Sequence, residues 1–303
     1  MFKIAHLSDF HIRADWKHSS KTAFIVNLVH PFKAQANFSR HRSQTYDPDL
    51  FSKTVSFIKR HPELKLVVIS GDLAGSGMAS DQLAAREEIS RLSAFGIPIM
   101  LMPGNHDRYY DYAALPGCTE FDNVFSSFRN VQDHVETRIL EDERGAKLAV
   151  ISGDFCLRSQ EDASRPRIIF RYGQGNVYGD VLDRMKSETE SVNAGAIWVI
   201  HFPPSDDVKD TLKLHHWDRV IEAAEDSGVK YILSGHLHRS DSFHEKHKKG
   251  VTVLCAGAAC ADPEPEGNWL HILEFAIEDG NLDLRGRSNY RWHEKRGEFE
   301  RAW

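Results

Sequence analysis

LKLVVISGD, residues 64–72, places four apolar residues in a row, Leu66, Val67, Val68 and Ile69, directly before Ser70, Gly71 and Asp72. A half-buried strand alternates apolar with polar residues, whereas an unbroken apolar run of this length describes a strand covered on both faces. The polar group then falls at the carboxyl end of a buried strand. The pattern recurs four times: FKIAHL (2–7) before SDFH, IPIMLMP (97–103) before GNHD, AIWVI (196–200) before HF, and VKYILS (229–234) before GHLH.

Helical patterns lie between these runs. YDPDLFSKTVSFIKRHP (46–62) offers Asp47 as N-cap, Pro48 at the first helical position, Phe51, Val55 and Ile58 on one face and a stop at Pro62. SDQLAAREEISRLSAFG (80–96) and WDRVIEAAEDSG (217–228) end near Gly96 and Gly228, each suited to follow a helix terminus. Alternating strand and helix predicts an α/β architecture of mostly parallel strands, with the ligand crevice outside their carboxyl ends. From Val251 the long helices stop. VTVLCAGAAC (251–260), WLHILEFAIEDGNLDLRG (269–286) and YRW (290–292) read as strands of a second, more antiparallel sheet packed on the first. With no linker, repeat or low-complexity tract, the expected partition is a single domain over residues 1–303.

At 303 residues, 41% hydrophobic and 27% charged, with a formal charge of −6, the chain reads as an ordinary globular protein with no global bias toward nucleic acid or anionic membrane. The four cysteines, Cys118, Cys156, Cys255 and Cys260, form no CxxC pair, which argues against a zinc knuckle or a disulfide framework and fits a reducing compartment. Neither a transmembrane run nor a signal-peptide core is read, so the expected location is cytoplasmic and no membrane partner is expected.

Asp9 and His11 are two residues apart, so in extended chain both side chains point the same way, and the same holds for His236 and His238. With Asp72, Asn105 and His201 they make seven oxygen or nitrogen donors at the ends of five strands. One divalent ion needs three or four donors; seven fit two ions better, with one carboxylate bridging ions ~3.5–4 Å apart. Imidazole mixed with carboxylate suits manganese, iron, zinc or cobalt over calcium, and four histidines are a poor set for magnesium. Each piece alone has an ordinary structural explanation: Gly-Asp is a common turn, His-x-His a surface pair, His201 a core histidine. The conjunction at strand ends carries the metal reading.

The ordered motifs DFH, GD, GNHD, H and GHLH resemble those of the calcineurin-like metallophosphoesterase superfamily. LMPGNHDRY, IHFPP and GHLH are most similar to its bacterial class III cyclic-nucleotide phosphodiesterases. The resemblance spans Asp9 to His238 and implies a two-sheet β-sandwich flanked by helices, the four-layer α/β/β/α metallophosphoesterase fold. It further implies one metal on Asp9, His11, Asp72 and His238 and another on Asp72, Asn105, His201 and His236. His106 then stays off the metals, meeting the substrate or protonating the leaving oxygen, with Asp107 orienting its ring. The expected reaction is in-line attack of a metal-activated hydroxide on a small phosphodiester, a cyclic nucleotide or a glycerophosphodiester.

GDLAGSG lacks the GDxVDRG of the Ser/Thr protein phosphatases of this superfamily, and GNHD replaces their GNHE. Two other classes compete: a metal-dependent nuclease, and a non-catalytic binding module on the same fold. Residues 13–46 carry Arg13, Lys17, Lys21, Lys33, Arg40 and Arg42 against Asp15, a formal +5 in an acidic chain, together with Trp16, Phe24, Phe32, Phe38 and Tyr46. That insertion reads either as a substrate lid or as a surface excursion with its own small apolar core. Arg158, Arg165, Arg167 and Arg171 invite the same two readings.

Overall fold

A computed structural model describes residues 1–14, 48–75, 77, 79–108, 120–132, 134–156, 173–245, 250–260 and 269–302. The basic insertion, apart from Arg13 and Ala14, and the arginine-rich stretch at 158–171 lie outside the described residues, as does the expected N-cap Asp47.

Two sheets carry the architecture. In the first, of six strands, β1 (Phe2–Leu7), β2 (Leu66–Ile69) and β3 (Ile99–Leu101) run parallel at one side. The antiparallel β13 (Trp269–Glu278), β14 (Asn281–His293) and β15 (Glu298–Arg301) continue it outward from β1. In the second, of seven strands, β6 (Lys147–Gly153), β8 (Gly195–Val199), β10 (Tyr231–Ser234) and β12 (Val251–Cys255) are parallel. It is edged by antiparallel β11 (Asp241–Glu245) on one side and by β5 (Val135–Glu141) and β4 (Val131–Gln132) on the other. A two-stranded parallel sheet joins β7 (Gly175–Asn176) to β9 (Leu214–His215).

Alternate residues of each strand serve different layers, as the period of two requires. Phe2 and Ile4 of β1, Leu66 and Val68 of β2, Leu148 and Val150 of β6, and Ile197 and Val199 of β8 fill the space between the sheets. Ala5, Leu7, Val67 and Ile69 face outward under α1 (Pro48–Lys59), α2 (Ala79–Ser93) and α3 (Glu120–Val124). Ala149, Ile151, Ala196 and Trp198 face outward under α4 (Gly179–Ser191) and α5 (Trp217–Asp226). The result is the four-layer α/β/β/α sandwich. Helix α1 begins at Pro48 and buries the expected face, Phe51, Val55 and Ile58, where burying a side chain such as Phe51 or Ile58 contributes about 1.5–3 kcal/mol.

The final third departs from expectation. It forms no sheet of its own: β12 adds to β10 in the second sheet, while β13 pairs with β1 from Phe2↔Phe275 to His6↔His271 in the first. Strand β6, KLAVISG, is a sixth buried run that ends before a polar residue, Asp154, beyond the five expected. No helix among the described residues is long and apolar enough to cross a membrane.

Candidate metal centre

Parallel register brings the polar clusters level. Leu7 pairs with Ile69 and Ile69 with Leu101, so the segments after β1, β2 and β3 leave the sheet side by side. Leu233 pairs with Val199, aligning the segments after β8 and β10. Beyond the sheets the loops stay tied: Asp9 N–H donates to the Gly71 carbonyl at 3.0 Å and His11 N–H to Asp72 at 3.0 Å, while Gly235 N–H donates to the His201 carbonyl at 2.9 Å.

Asp9, His11, Asp72 and His238 offer atoms within 4.8 Å of one another, as do Asp72, His201 and His236, with Asp72 common to both groups. Asn105 joins the second group through Oδ1, 3.1 Å from His201 Nε2. All seven expected donors therefore meet at the seam between the sheets. The backbone that brings them there is not extended: Asp9, His11, Asp72, His236 and His238 have φ of 55, 49, 55, 72 and 57°. Left-handed backbone at five non-glycine residues stores strain, of order 1–3 kcal/mol each. The common direction of Asp9 and His11, and of His236 and His238, comes from these turns and not from strand alternation.

Two glycines make room. A side chain at Gly104 would run into the Asp72 carboxylate, and one at Gly235 would run into Ser8 Oγ and Asp9 Oδ2.

Each carboxylate is anchored by one oxygen. Asp72 Oδ1 accepts the His106 N–H at 2.8 Å, and Asp9 Oδ2 accepts the His236 N–H at 2.9 Å. The other oxygens, Asp72 Oδ2 and Asp9 Oδ1, are buried without a hydrogen-bond partner, as is His236 Nε2. His201 Nδ1–H donates to the Ser70 carbonyl at 2.8 Å, which turns Nε2 toward Asp72 Oδ2 at 3.5 Å and the Asn105 oxygen at 3.1 Å. Carboxylate oxygens and an imidazole nitrogen left unpartnered in one buried cleft call for a cation, so this donor set fits metal ions. The charges respond accordingly. Burial opposes the imidazolium of His201, yet Asp72 beside it pushes its pKa up to about 9. Burial and the neighbouring His201 push His236 down to about 3. Burial opposes the carboxylate of Asp72, but His201 and His106 hold it well below its usual range.

His106 belongs to neither group. Its Nδ1–H donates to the Gly75 carbonyl at 3.0 Å, which turns Nε2 toward Asp72 Oδ2, 4.0 Å away. Asp107 does not take the expected place against that ring. Its carboxylate turns back and accepts three backbone N–H groups, from Ala74 at 2.7 Å, Gly104 at 2.8 Å and Leu73 at 3.1 Å, locking the loop after β3 to the loop after β2. Burial and the charge of Asp72 push its pKa up to about 7 despite these donors.

Two residues absent from the expected set complete the cradle. Arg108 and Asp154 are each 1% exposed. The guanidinium donates to Asp154 Oδ2 at 2.7 and 3.2 Å and to Asp122 of α3 at 2.8 and 3.1 Å, clamping the GNHD loop to the end of β6. Recognising β6 as a sixth apolar run would have pointed to Asp154.

A family model described as calcineurin-like phosphoesterase matches residues 2–240. A probable cyclic nucleotide phosphodiesterase of Xenorhabdus bovienii is 22% identical over 272 residues, 88% of this chain and 87% of that protein. Among solved structures, a dimetal phosphatase from Danio rerio superposes with a TM-score of 0.59 at 12% identity, covering 99% of this chain and 98% of that one. A purple acid phosphatase from yellow lupin gives 0.55 at 10% identity, covering 99% and 52%. At such identities the structural likeness speaks for the fold alone, and the fold is the sandwich described above. With the motifs, the sandwich and the family match in agreement over residues 2–240, the chain belongs to the calcineurin-like phosphoesterases and is a metal-dependent phosphoric ester hydrolase.

Proposed function

We propose that the enzyme is a phosphodiesterase acting on a small phosphodiester, a cyclic nucleotide or a glycerophosphodiester. Asp9, His11, Asp72 and His238 would hold one metal ion, and Asp72, Asn105, His201 and His236 the other. The observation that carries the reading is the pair of donor groups sharing Asp72, with His106 beside both and in neither. The Xenorhabdus relative, named as a probable cyclic nucleotide phosphodiesterase, supports the same substrate class. The mix of imidazole and carboxylate suits manganese, iron, zinc or cobalt. When bound, two such ions supply Lewis acidity at the phosphoryl oxygens and acidify water toward neutral pH.

The chain's own residues do the rest. Asp72, with Oδ1 held by the His106 N–H, keeps Oδ2 aimed at both groups. The Ser70 carbonyl fixes the tautomer of His201, and the Gly75 carbonyl that of His106. His106 Nε2, charged, donates a proton to the departing alkoxide, a service that a diester with a basic leaving group needs. Asp107 holds the loop that carries His106 and Asn105.

The test compares bis(p-nitrophenyl) phosphate with p-nitrophenyl phosphate on metal-stripped protein with manganese restored. Diester preference that disappears in Asn105→Ala is the expected result. Two bound ions with turnover of neither substrate would overturn the proposal in favour of a nuclease or a binding module.

A further inference from the structure

Behind the metal centre, inside the sandwich, stand two histidines that the proposed reaction leaves without a task. The inward positions of β1 run Phe2, Ile4, His6, and those of β13 run Phe275, Leu273, His271, with His6 and His271 as register partners. Both are 0% exposed, and their rings meet edge to face with centroids 5.6 Å apart. Every earlier inward position on these strands is apolar, and a buried imidazole costs desolvation that an aliphatic side chain does not. Burial, with the charge of Arg287, pushes His6 down to about 3; burial and the neighbouring His6 hold His271 well below its ordinary value. Both rings are neutral at physiological pH.

Each ring holds a serine that flanks a donor loop. His6 Nε2 lies 2.9 Å from Ser70 Oγ, and His271 Nε2 lies 2.7 Å from Ser240 Oγ. Ser70 immediately precedes Gly71 and Asp72, and its carbonyl is the acceptor that orients His201. Ser240 follows His238 by two residues and also receives the Arg287 guanidinium at 3.3 Å. Neither Nδ1 atom has a hydrogen-bond partner among the described residues, so the Nε2 bond fixes each ring. A buried N–H without an acceptor is rarer than a lone pair without a donor. The His6 proton therefore belongs on Nε2, donated to Ser70, whose hydroxyl points on to the Leu7 carbonyl at 3.4 Å.

We propose that His6 and His271 are positioning residues: His6 sets Ser70, and through its carbonyl the ring of His201 and the approach of Asp72, while His271 sets Ser240 and the turn that carries His238. The pair would then brace donor loops of both sheets from one point between them. This rests on the dinuclear reading above. Partners of this kind beyond the ligands themselves tune metal affinity or activity by about 10–100-fold when removed.

The experiment uses the full chain with His6→Leu, which suits the apolar layer, His6→Gln, which restores a donor, and Ser70→Ala. Manganese binding to metal-free protein is followed by calorimetry, alongside thermal unfolding without metal and steady-state diester kinetics. His6→Leu is expected to melt, metal-free, no lower than the parent. One manganese site should bind about 10–100-fold more weakly and kcat should fall in step with KM unchanged, and His6→Gln should recover most of both. Ser70→Ala should reproduce the loss, and the double variant should add nothing to it. Parental manganese affinity in His6→Leu overturns the proposal, as does a lowered metal-free melting temperature with affinity intact. Should His6→Leu fail to fold, Ser70→Ala decides by the same affinity criterion. A parent that binds two manganese ions and hydrolyses no diester would defeat the phosphodiesterase reading, while the affinity comparison would still judge the brace.

Discussion

The two sheets contribute to the centre on unequal terms. The six-stranded sheet supplies Asp9, His11, Asp72 and Asn105, hence both carboxylates; the seven-stranded sheet supplies only imidazoles, His201, His236 and His238. Both carboxylates thus stand on one side of the seam and imidazoles alone on the other. The backbone couples them, because Asp9 is anchored by the N–H of His236 from the opposite sheet while Asp72 is anchored within its own by the N–H of His106. Neither half is a site alone. What makes it one is closure of the seam, which Arg108 also serves by pairing with Asp154 at the end of β6.

The largest effect is expected at Asp72, which serves both donor groups. Asp72→Ala should release both ions and bring hydrolysis to background, whereas His201→Ala, on the imidazole side, should release one; metal content after dialysis separates the two. Two full equivalents retained in Asp72→Ala would break the bridging assignment. Next comes His106→Ala, which should keep both ions yet lose about 10²–10⁴ in kcat on a diester with an alkoxide leaving group, and much less with p-nitrophenolate. Equal losses on both leaving groups would remove the proton-donor role.

Arg108→Ala tests the clamp between the sheets. It strands Asp154, whose side chain is 1% exposed, and should cost about 3–5 kcal/mol in denaturant unfolding. A loss under 1 kcal/mol would mean that water reaches Asp154 and that the clamp is weak. The smallest effect belongs to Glu278→Gln, which removes one of two carboxylate partners of Arg285, the other being Asp283, at the β13–β14 turn, far from the seam. With the side chains 55% and 45% exposed, the change should stay within about 0.5 kcal/mol.

Much of this was legible along the chain. Buried parallel strands announce themselves as unbroken apolar runs, and β1, β2, β3, β8 and β10 were found that way, each with its polar residues at the carboxyl end. Helix α1 was readable from Pro48 and the spacing of Phe51, Val55 and Ile58. The destination of β13 was not, because an antiparallel strand's pattern tells which face is buried and not which strand it will join. VTVLC and WLHILEFAIE look alike as strands, yet they entered different sheets. The turn geometry was hidden too: DFH and HLH permit extended chain equally well, and only contact with neighbouring loops holds their residues at positive φ.

The role of Asp107 shows the same division. Its place next to His106 suggested that it orients the ring, but backbone direction turned the carboxylate onto Ala74, Gly104 and Leu73. Residue type and strand-end position, both local properties, determined the donor inventory, its chemistry and the α/β class. Which donors face each other, which nitrogen of each imidazole is left open, and how Arg108 finds Asp154 depend on segments tens to hundreds of residues apart. Those relations exist only once the two sheets have packed, since no short-range pattern encodes a partner across the seam.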